Sequence, residues 1–310
     1  MLLSVIVPAH NPHAGRLART LAGLCAQGLP ATGWETILVD NASTPPIATD
    51  GLAVPPNFRL VTEPRPGLTF ARRAGMLAAR GQFLVMVDDD NVLAPDYLAR
   101  VVELFHAHPR VGALGGRSQP EFEVAPAAWV REFDGLLACR DLGASPLVSI
   151  GLINPATGKP DYPAFAPIGA GMSLRREAVQ RWLADPTTQA LPDRRGRELS
   201  SGGDNDIILT VMESGWEVAY FPALALTHLI PAGRLTAEYL GRLNRGIQKS
   251  WMQVLARHGA NPWPSIAPWT VPLRCAKAWV SGRAWSSPAA RIRWQGACGH
   301  FAGRVPLSRS

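Results

Sequence analysis

Asp88, Asp89, Asp90 and Asn91 stand together immediately after an apolar run that reads as a buried strand. Three neighbouring carboxylates repel and raise each other's pKa unless a cation neutralises them, and hard oxygen donors suit Mg2+ or Mn2+ bridging to phosphate. The same residues also fit a solvated turn in which an Asp caps the next helix. A second acidic group, Asp204 and Asp206 in SGGDND, opens a helical pattern. A carboxylate there either caps its helix or acts as a general base, which requires direct reach of the acceptor oxygen. Asp40 ends another apolar run, as a ligand-facing acid or a turn former. His228, alone beside apolar residues in LTHLIP, is either a ligand or a structural group.

These side chains need elements to hold them. Residues 2–7 are short, apolar and β-branched and are closed by Pro8; residues 34–39, 58–62, 82–87 and 111–114 read as further strands. Residues 17–25, 68–79 and 95–105 carry apolar positions at helical spacing, the last with an early proline. Strands alternating with helices predict a parallel sheet covered on both faces. Ligands of such sheets bind beyond the carboxyl ends of the strands, where His10, Asn11, Asp40 and the 88–91 cluster fall. Further along, 168–174 predicts a strand, 175–183 and 204–214 helices, 217–221 a strand and 236–257 a long helix. Residues 120–167, rich in Pro, Gly and aromatics without a period, predict long loops with short helices.

The segments SVIVPAHN, ILVDNAS, GLTFARRAGMLAARGQFLVMVDDDN, GAGMSLRREA and SGGDNDIILTVMESGW, in this order and spacing, resemble glycosyltransferase family 2 over about residues 3–230. The resemblance implies an α/β, Rossmann-like GT-A fold with a mostly parallel central sheet flanked by helices. On that basis residues 1–235 are the expected catalytic domain, with a nucleotide-binding half at 1–117 and an acceptor-binding half at 118–235. Residues 236–310 form a helical, basic C-terminal extension. The implied activity is inverting transfer from a nucleotide-diphosphate sugar, UDP-sugar favoured, to a hydroxyl of a glycan or lipid-linked acceptor in polysaccharide or glycolipid synthesis. Mn2+ or Mg2+ is the implied cofactor.

Residue by residue, the resemblance implies that Pro8, Ala9, His10 and Asn11 line the nucleotide pocket and that Asp40 accepts a hydrogen bond from the base ring. Arg72 in FARRAG matches the family arginine near the donor, where a guanidinium fork holds phosphate or base oxygens; Arg73 stands where Asn is common. The family's DxD motif maps onto residues 88–90. Asp90 is the expected metal ligand, with Asp88 as a further ligand, and Asp88 or Asp89 near the ribose and the metal's waters. Gly169 and Gly171 match the small-residue segment below the donor sugar, although they equally serve a tight turn. Asp204 matches the general base and Asp206 is the fallback. Gly203 replaces the family's usual Glu, which leaves the acceptor contacts open. His228 matches a position where some related transferases place a histidine near the metal or the phosphates.

Composition bounds the rest. At 310 residues, 47% hydrophobic and 18% charged, the chain is globular, and 29 Gly with 28 Pro predict many turns and long loops. The net charge of +7 hides an asymmetry: no acid follows Glu238, and residues 239–310 hold eleven Arg or Lys, leaving 20 against all 24 acids before them. Four scattered cysteines form no CxxC pair and suggest a reducing compartment. With neither a leader pattern nor a membrane-spanning run, the expected location is cytoplasmic, peripheral on the inner face of the membrane if the tail binds lipid. In that tail, Trp251, Trp263, Trp269, Trp279, Trp285 and Trp294 interleave with Arg274, Lys277, Arg283, Arg291 and Arg293. Such a segment suits an anionic membrane surface or packing of its tryptophans on the catalytic domain. No nucleic-acid partner is expected, because no recognised module accompanies it. Two other function classes stand beside the transferase. One is a non-catalytic nucleotide-sugar binder or scaffold of a polysaccharide complex. The other is a nucleotidyltransferase, disfavoured because PAHNPHAG is not a glycine-rich, Lys-containing phosphate loop.

Overall fold

β1 (Leu3–Ala9) and β2 (Trp34–Asn41) are buried at every position, as central strands covered on both faces must be. The computed structural model describes residues 1–149, 151–190, 199 and 201–306. Between and after these strands come α1 (Ala14–Cys25), β3 (Phe58–Glu63), α2 (Leu68–Ala78), β4 (Phe83–Met86), β5 (Asn91–Leu93), α3 (Tyr97–Ala107) and β6 (Val111–Phe122). The chain continues through β7 (Leu147–Val148), β8 (Ile153–Asn154), β9 (Lys159–Pro160), β10 (Ser173–Arg175), α4 (Gln180–Ala184), α5 (Gly203–Glu213) and β11 (Glu217–Ile230). It closes with α6 (Ala237–Arg257), α7 (Thr270–Ser281) and α8 (Pro288–Gly303).

One sheet runs in the order β3-β2-β1-β4-β10-β6-β11-β5, with β7 also on β11. β1 to β4 are parallel, as are β6 and β11, whereas β10 and β5 run antiparallel to their neighbours. The pleat sends alternate side chains to opposite faces. Leu3, Val5 and Val7 therefore pack with Leu17, Leu21 and Leu24 of α1 and with Leu98, Val101 and Phe105 of α3. Ile6, Ile37 and Val39 pack on the other face with Ala71 and Met76 of α2, Trp182 of α4 and Ile207 of α5.

The predicted strands and helices of the first half are present, with two longer and one shorter element elsewhere. The expected strands at 111–114 and 217–221 extend to Phe122 and Ile230. Gly115, Gly116, Pro120 and Pro222 interrupt the apolar pattern there, and the β6–β11 ladder absorbs the break in a register shift between Tyr220 and Ala225. The expected strand at 168–174 shrinks to Ser173–Arg175. Residues 120–167 contain the helical turns Ala128–Leu137 and the small β8–β9 hairpin.

α6 begins where Thr236 Oγ1 accepts the Tyr239 amide at 3.2 Å, a side-chain cap. Its Leu240 and Leu243 meet Ile292 of α8, Val130 and Ile230 in a further core. α8 lies against α6 through Gly296, Gly299 and Gly303, and a Cβ on Gly299 would stand 2.1 Å from the Arg245 carbonyl oxygen. α7, by contrast, has no buried residue. Among the described residues no helix is long and apolar enough to cross a membrane, and all four cysteines are free.

Candidate active site

The carboxyl ends of β1 and β4 open onto a cleft of about 530 Å3, in the range of ligand sites for small molecules. Pro8, Ala9, His10 and Asn11 form one wall, and Arg72, Asp88, Asp89, Asp90, Gly169, Asp204 and His228 line the rest. Of the predicted site residues, Asp40, Gly171 and the fallback base Asp206 lie outside the lining.

The first wall is cross-linked to the turn after β2. His10 Nδ1 lies 2.6 Å from the Asn41 carbonyl oxygen. Asn11, at φ 46°, receives the Thr44 amide on its Oδ1 at 2.8 Å and donates its own amide to Ser43 Oγ at 2.9 Å. Asn tolerates this left-handed backbone better than most residues. Asp40 is spent inside the same turn: Oδ1 accepts the Ser43 amide at 3.1 Å and Oδ2 the Ile47 amide at 3.0 Å. Burial alone would raise its pKa, but these hydrogen bonds and the charge of His10 hold it below the ordinary carboxylate range. Asp40, expected to accept a hydrogen bond from the base ring, here orders the loop, and Asn41 reaches the cleft.

The acidic cluster is divided by its neighbours. Asp88 Oδ1 stands 3.8 Å from Arg72 Nη2. Asp89 is pushed up to about 7, chiefly by burial and further by the charges of Asp90 and Asp88, against the pull of Arg234 and Arg16. Asp90 is buried, with His228 Nε2 3.3 Å from one oxygen and Arg234 Nη1 3.1 Å from the other. The β5–β11 ladder sets this meeting, because it registers His228 opposite Asn91.

Across the cleft, Asp204 sits in the first turn of α5. Its Oδ2 accepts the Gly169 amide at 3.0 Å and its Oδ1 the Asn205 amide at 3.0 Å. Gly169 also abuts Arg72: a Cβ there would be 2.3 Å from Arg72 Nη2. Gly171, at φ 75°, is instead packed against Tyr97 and Leu226, and its carbonyl accepts from Tyr97 Oη at 2.6 Å. Its positive φ and the close approach of Tyr97 and Leu226 each call for glycine here. Asp206 faces away from the cleft. It takes the Trp182 indole N–H at 2.7 Å and lies 2.9 Å from His258 Nε2, a buried tie between α5, α4 and α6. The fallback base is thereby excluded from the cleft. Arg73 donates to the Leu183 carbonyl and does not enter it either.

With this arrangement in place, comparison with known proteins is decisive: the family model described as Glycosyl transferase family 2 matches residues 4–183. The chain belongs to glycosyltransferase family 2. The O-antigen biosynthesis protein RfbC of Myxococcus xanthus is 31% identical over 137 residues, 39% of this chain and 11% of RfbC. The dolichyl-phosphate β-glucosyltransferase ALG5C of Trichomonas vaginalis is 28% identical over 210 residues, 63% of this chain and 60% of that protein. The chain spans 12% and 11% of the length of the first curated relatives it matches. The structure of the mannosyltransferase PcManGT from Pyrobaculum calidifontis, in complex with GDP-Man and Mn2+, superposes with a TM-score of 0.58 at 18% identity, covering 97% of this chain and 85% of that one. The fold is GT-A.

For a family 2 chain a divalent cation is the implied cofactor, and the residues fit one. Asp90 and His228 bring an oxygen and a nitrogen donor together, Asp88 lines the same cleft, and His228 Nδ1 is buried without a partner. Among the described residues no three His, Cys, Asp or Glu side chains cluster to hold a metal. The protein thus offers one or two ligands, the pattern of Mg2+ and Mn2+ sites completed by substrate phosphates and water.

Several cleft residues of this family 2 chain are not marked by its sequence pattern. Arg16, Tyr162, Asn205, Arg234 and Tyr239 all line it. Arg16 carried a usable signal, since it lies in the first turn of the helix that follows β1; Arg234 did not, because the end of β11 was hidden by Pro222. Tyr162 lay in the aperiodic 120–167 stretch, and Tyr239 and Asn205 reach the cleft only because α6 and α5 turn those positions towards it.

Proposed function

We propose that this chain is a metal-dependent, inverting glycosyltransferase that moves a sugar from a nucleotide-diphosphate donor, UDP-sugar favoured, to an acceptor hydroxyl in glycan synthesis. The observation that carries the reading is the pairing of Asp204 with the Asp90–His228 group across one cleft built on the carboxyl ends of β1 and β4. Pro8 to Asn11 and Asn41 hold the nucleoside, on a loop kept in shape by Asp40. Arg72, Arg16 and Arg234 supply the positive field for a diphosphate in a site that already contains four aspartates.

Asp204 removes the proton from the acceptor hydroxyl. The oxygen attacks the anomeric carbon as the bond to the diphosphate breaks, and the nucleoside diphosphate departs with the electron pair. A single displacement inverts the anomeric centre. Asp90 and His228, with Asp88 beside them, would hold a Mn2+ or Mg2+ ion, whose role is to neutralise charge on the diphosphate. A shallow hollow lined by Ser118, Arg140 and Asp141 shares Gly135, Ala138 and Ile168 with the cleft, which gives the acceptor a path of approach.

The test is calorimetric titration with UDP-, GDP- and dTDP-sugars, with and without Mn2+, on the wild type and Asp90→Ala. Metal-dependent binding of one donor class, lost in the variant, supports the reading. Absence of binding to every donor rejects it. Sugar release from a labelled donor separates a transferase from a non-catalytic binder, and release of pyrophosphate would identify a nucleotidyltransferase instead.

A further inference from the structure

A helix that packs on a protein normally buries one side, yet α7 (Thr270–Ser281) buries nothing. At about 100° per residue its positions divide into three arcs. Val271, Cys275, Ala278 and Trp279 face α8: Trp279 meets Trp294 edge to face at 4.7 Å, and Trp294 Nε1 donates to the Cys275 carbonyl at 2.9 Å. Trp269, Leu273, Ala276 and Val280 recur at spacings of four, three and four and share one outward arc, with Trp269 73%, Leu273 65% and Val280 64% exposed. Trp263, 43% exposed, and Trp285, 60% exposed, precede and follow the helix, beside His300 and Trp279 respectively. Beside the apolar arc lies a basic one with Arg274 and Lys277, and Arg283 follows the helix.

The charges on this face are uncompensated. No acid occurs in the sequence after Glu238, and among the described residues no salt bridge engages Arg274, Lys277 or Arg283. Arg293, on α8, is by contrast held by Glu132. A soluble monomer rarely leaves so many large apolar side chains in one patch without a partner. A second copy is a poor partner, because a twofold contact would set these cations against their own counterparts.

We propose that the Trp269–Leu273–Val280 face of α7, flanked by Arg274, Lys277 and Arg283, docks on an anionic lipid bilayer. Tryptophan with its polar edge suits the headgroup region, leucine and valine enter the acyl boundary, and the cations meet anionic headgroups. The helix lies in the surface rather than across it. Its position couples docking to the cleft: α7 packs on α8, α8 packs on α6, and α6 contributes Tyr239, Leu243 and Ile247 to the cleft lining. The proposal does not depend on the reaction assigned to that cleft.

The test is co-sedimentation of the full chain with vesicles of phosphatidylcholine alone and of phosphatidylcholine with phosphatidylglycerol. The wild type should pellet only with the anionic vesicles and should be released by high salt. Trp269→Ser with Leu273→Ser and Val280→Ser, and separately Arg274→Glu with Lys277→Glu, should each weaken binding by roughly tenfold or more. These side chains are exposed, so both variants retain the wild-type melting curve and donor binding. A wild type that stays in the supernatant with anionic vesicles overturns the proposal, as do variants that pellet equally well. Light scattering supplies a further check: a wild-type dimer converted to monomer by the triple substitution would show that the face is covered by a second copy, and would also overturn it.

Discussion

The Gly169 backbone amide donates to Asp204 Oδ2 at 3.0 Å while the same residue lies against the Arg72 guanidinium. One glycine thus separates the general base assigned to the acceptor side from the cation assigned to the donor side. It orients the first by a hydrogen bond and gives way to the second by having no side chain.

Gly169→Ala is therefore expected to displace Arg72, because the new Cβ would sit 2.3 Å from Nη2. Arg72 is buried and cannot swing freely into solvent. Donor affinity should fall by roughly tenfold, the scale of one charge-assisted hydrogen bond. Wild-type affinity in the alanine variant would show that Arg72 has room to retreat and does not touch the donor.

Asp204→Asn should leave donor binding intact and lower turnover by about 10²–10⁴-fold, the usual contribution of a general base. Asn offers a single carbonyl oxygen, so only one of the Gly169 and Asn205 amides keeps its acceptor, and the melting curve of the variant is read beside its rate. Product stereochemistry, read by NMR on the wild type, must show inversion; retention would refute the single-displacement mechanism.

Arg234→Met removes the cation 3.1 Å from Asp90. If that cation serves the diphosphate, donor binding weakens by about 1.5–3 kcal/mol in calorimetry. Tighter binding of Mn2+ with unchanged donor affinity would instead mark Arg234 as a competitor for Asp90.

Asp206→Ala should behave differently from both. It strands the buried Trp182 N–H and removes one of the two acidic partners of His258, the other being Glu213, at a cost of about 3 kcal/mol in stability. The melting temperature should fall by several degrees, while donor binding measured well below it persists. A loss of turnover without a loss of stability would restore Asp206 as a chemical participant.

Glu35 provides a pH test away from the cleft. Burial pushes its carboxyl up, but the Ser4 hydroxyl, the Arg80 amide and the Arg59 guanidinium together hold it below the ordinary glutamate value. A depressed folded-state pKa means stability that is fully present above the unfolded value, about 4.3, and is lost as pH falls through the folded value. Glu35→Gln should accordingly lower the melting temperature at pH 7, and the difference from wild type should shrink below about pH 4. A constant difference across that range would contradict the assignment.

The sequence was most legible where one residue type had one use. β1 and β2 carry the apolar stretches Val5–Val7 and Ile37–Val39 at their centres, and the acids that follow strands stand at one sheet edge. Asp204 was correctly placed in the cleft, whereas Asp40 has the same position after a strand and yet turns into its own loop. Sequence could not separate them, because the Ser43 and Ile47 amides that capture Asp40 exist only once the turn is closed. Gly171 stands outside the cleft lining for a related reason: the approach of Tyr97 and Leu226 is a long-range fact. The length of β11 was hidden by Pro222, whose lost hydrogen bond falls where the register shifts.

That long strand has a consequence for how the protein comes into being. Asp90 receives His228 only after β11 has closed against both β6 and β5. These are pairings between distant parts of the chain, which are slow to form because a large loop must be ordered before any contact rewards it. A nascent chain that has emerged only as far as α5 carries all three neighbouring acids and Asp204, but not the histidine. Assembly of the site is thus a late folding event, and the meeting of Asp90 with His228 marks a completed sheet.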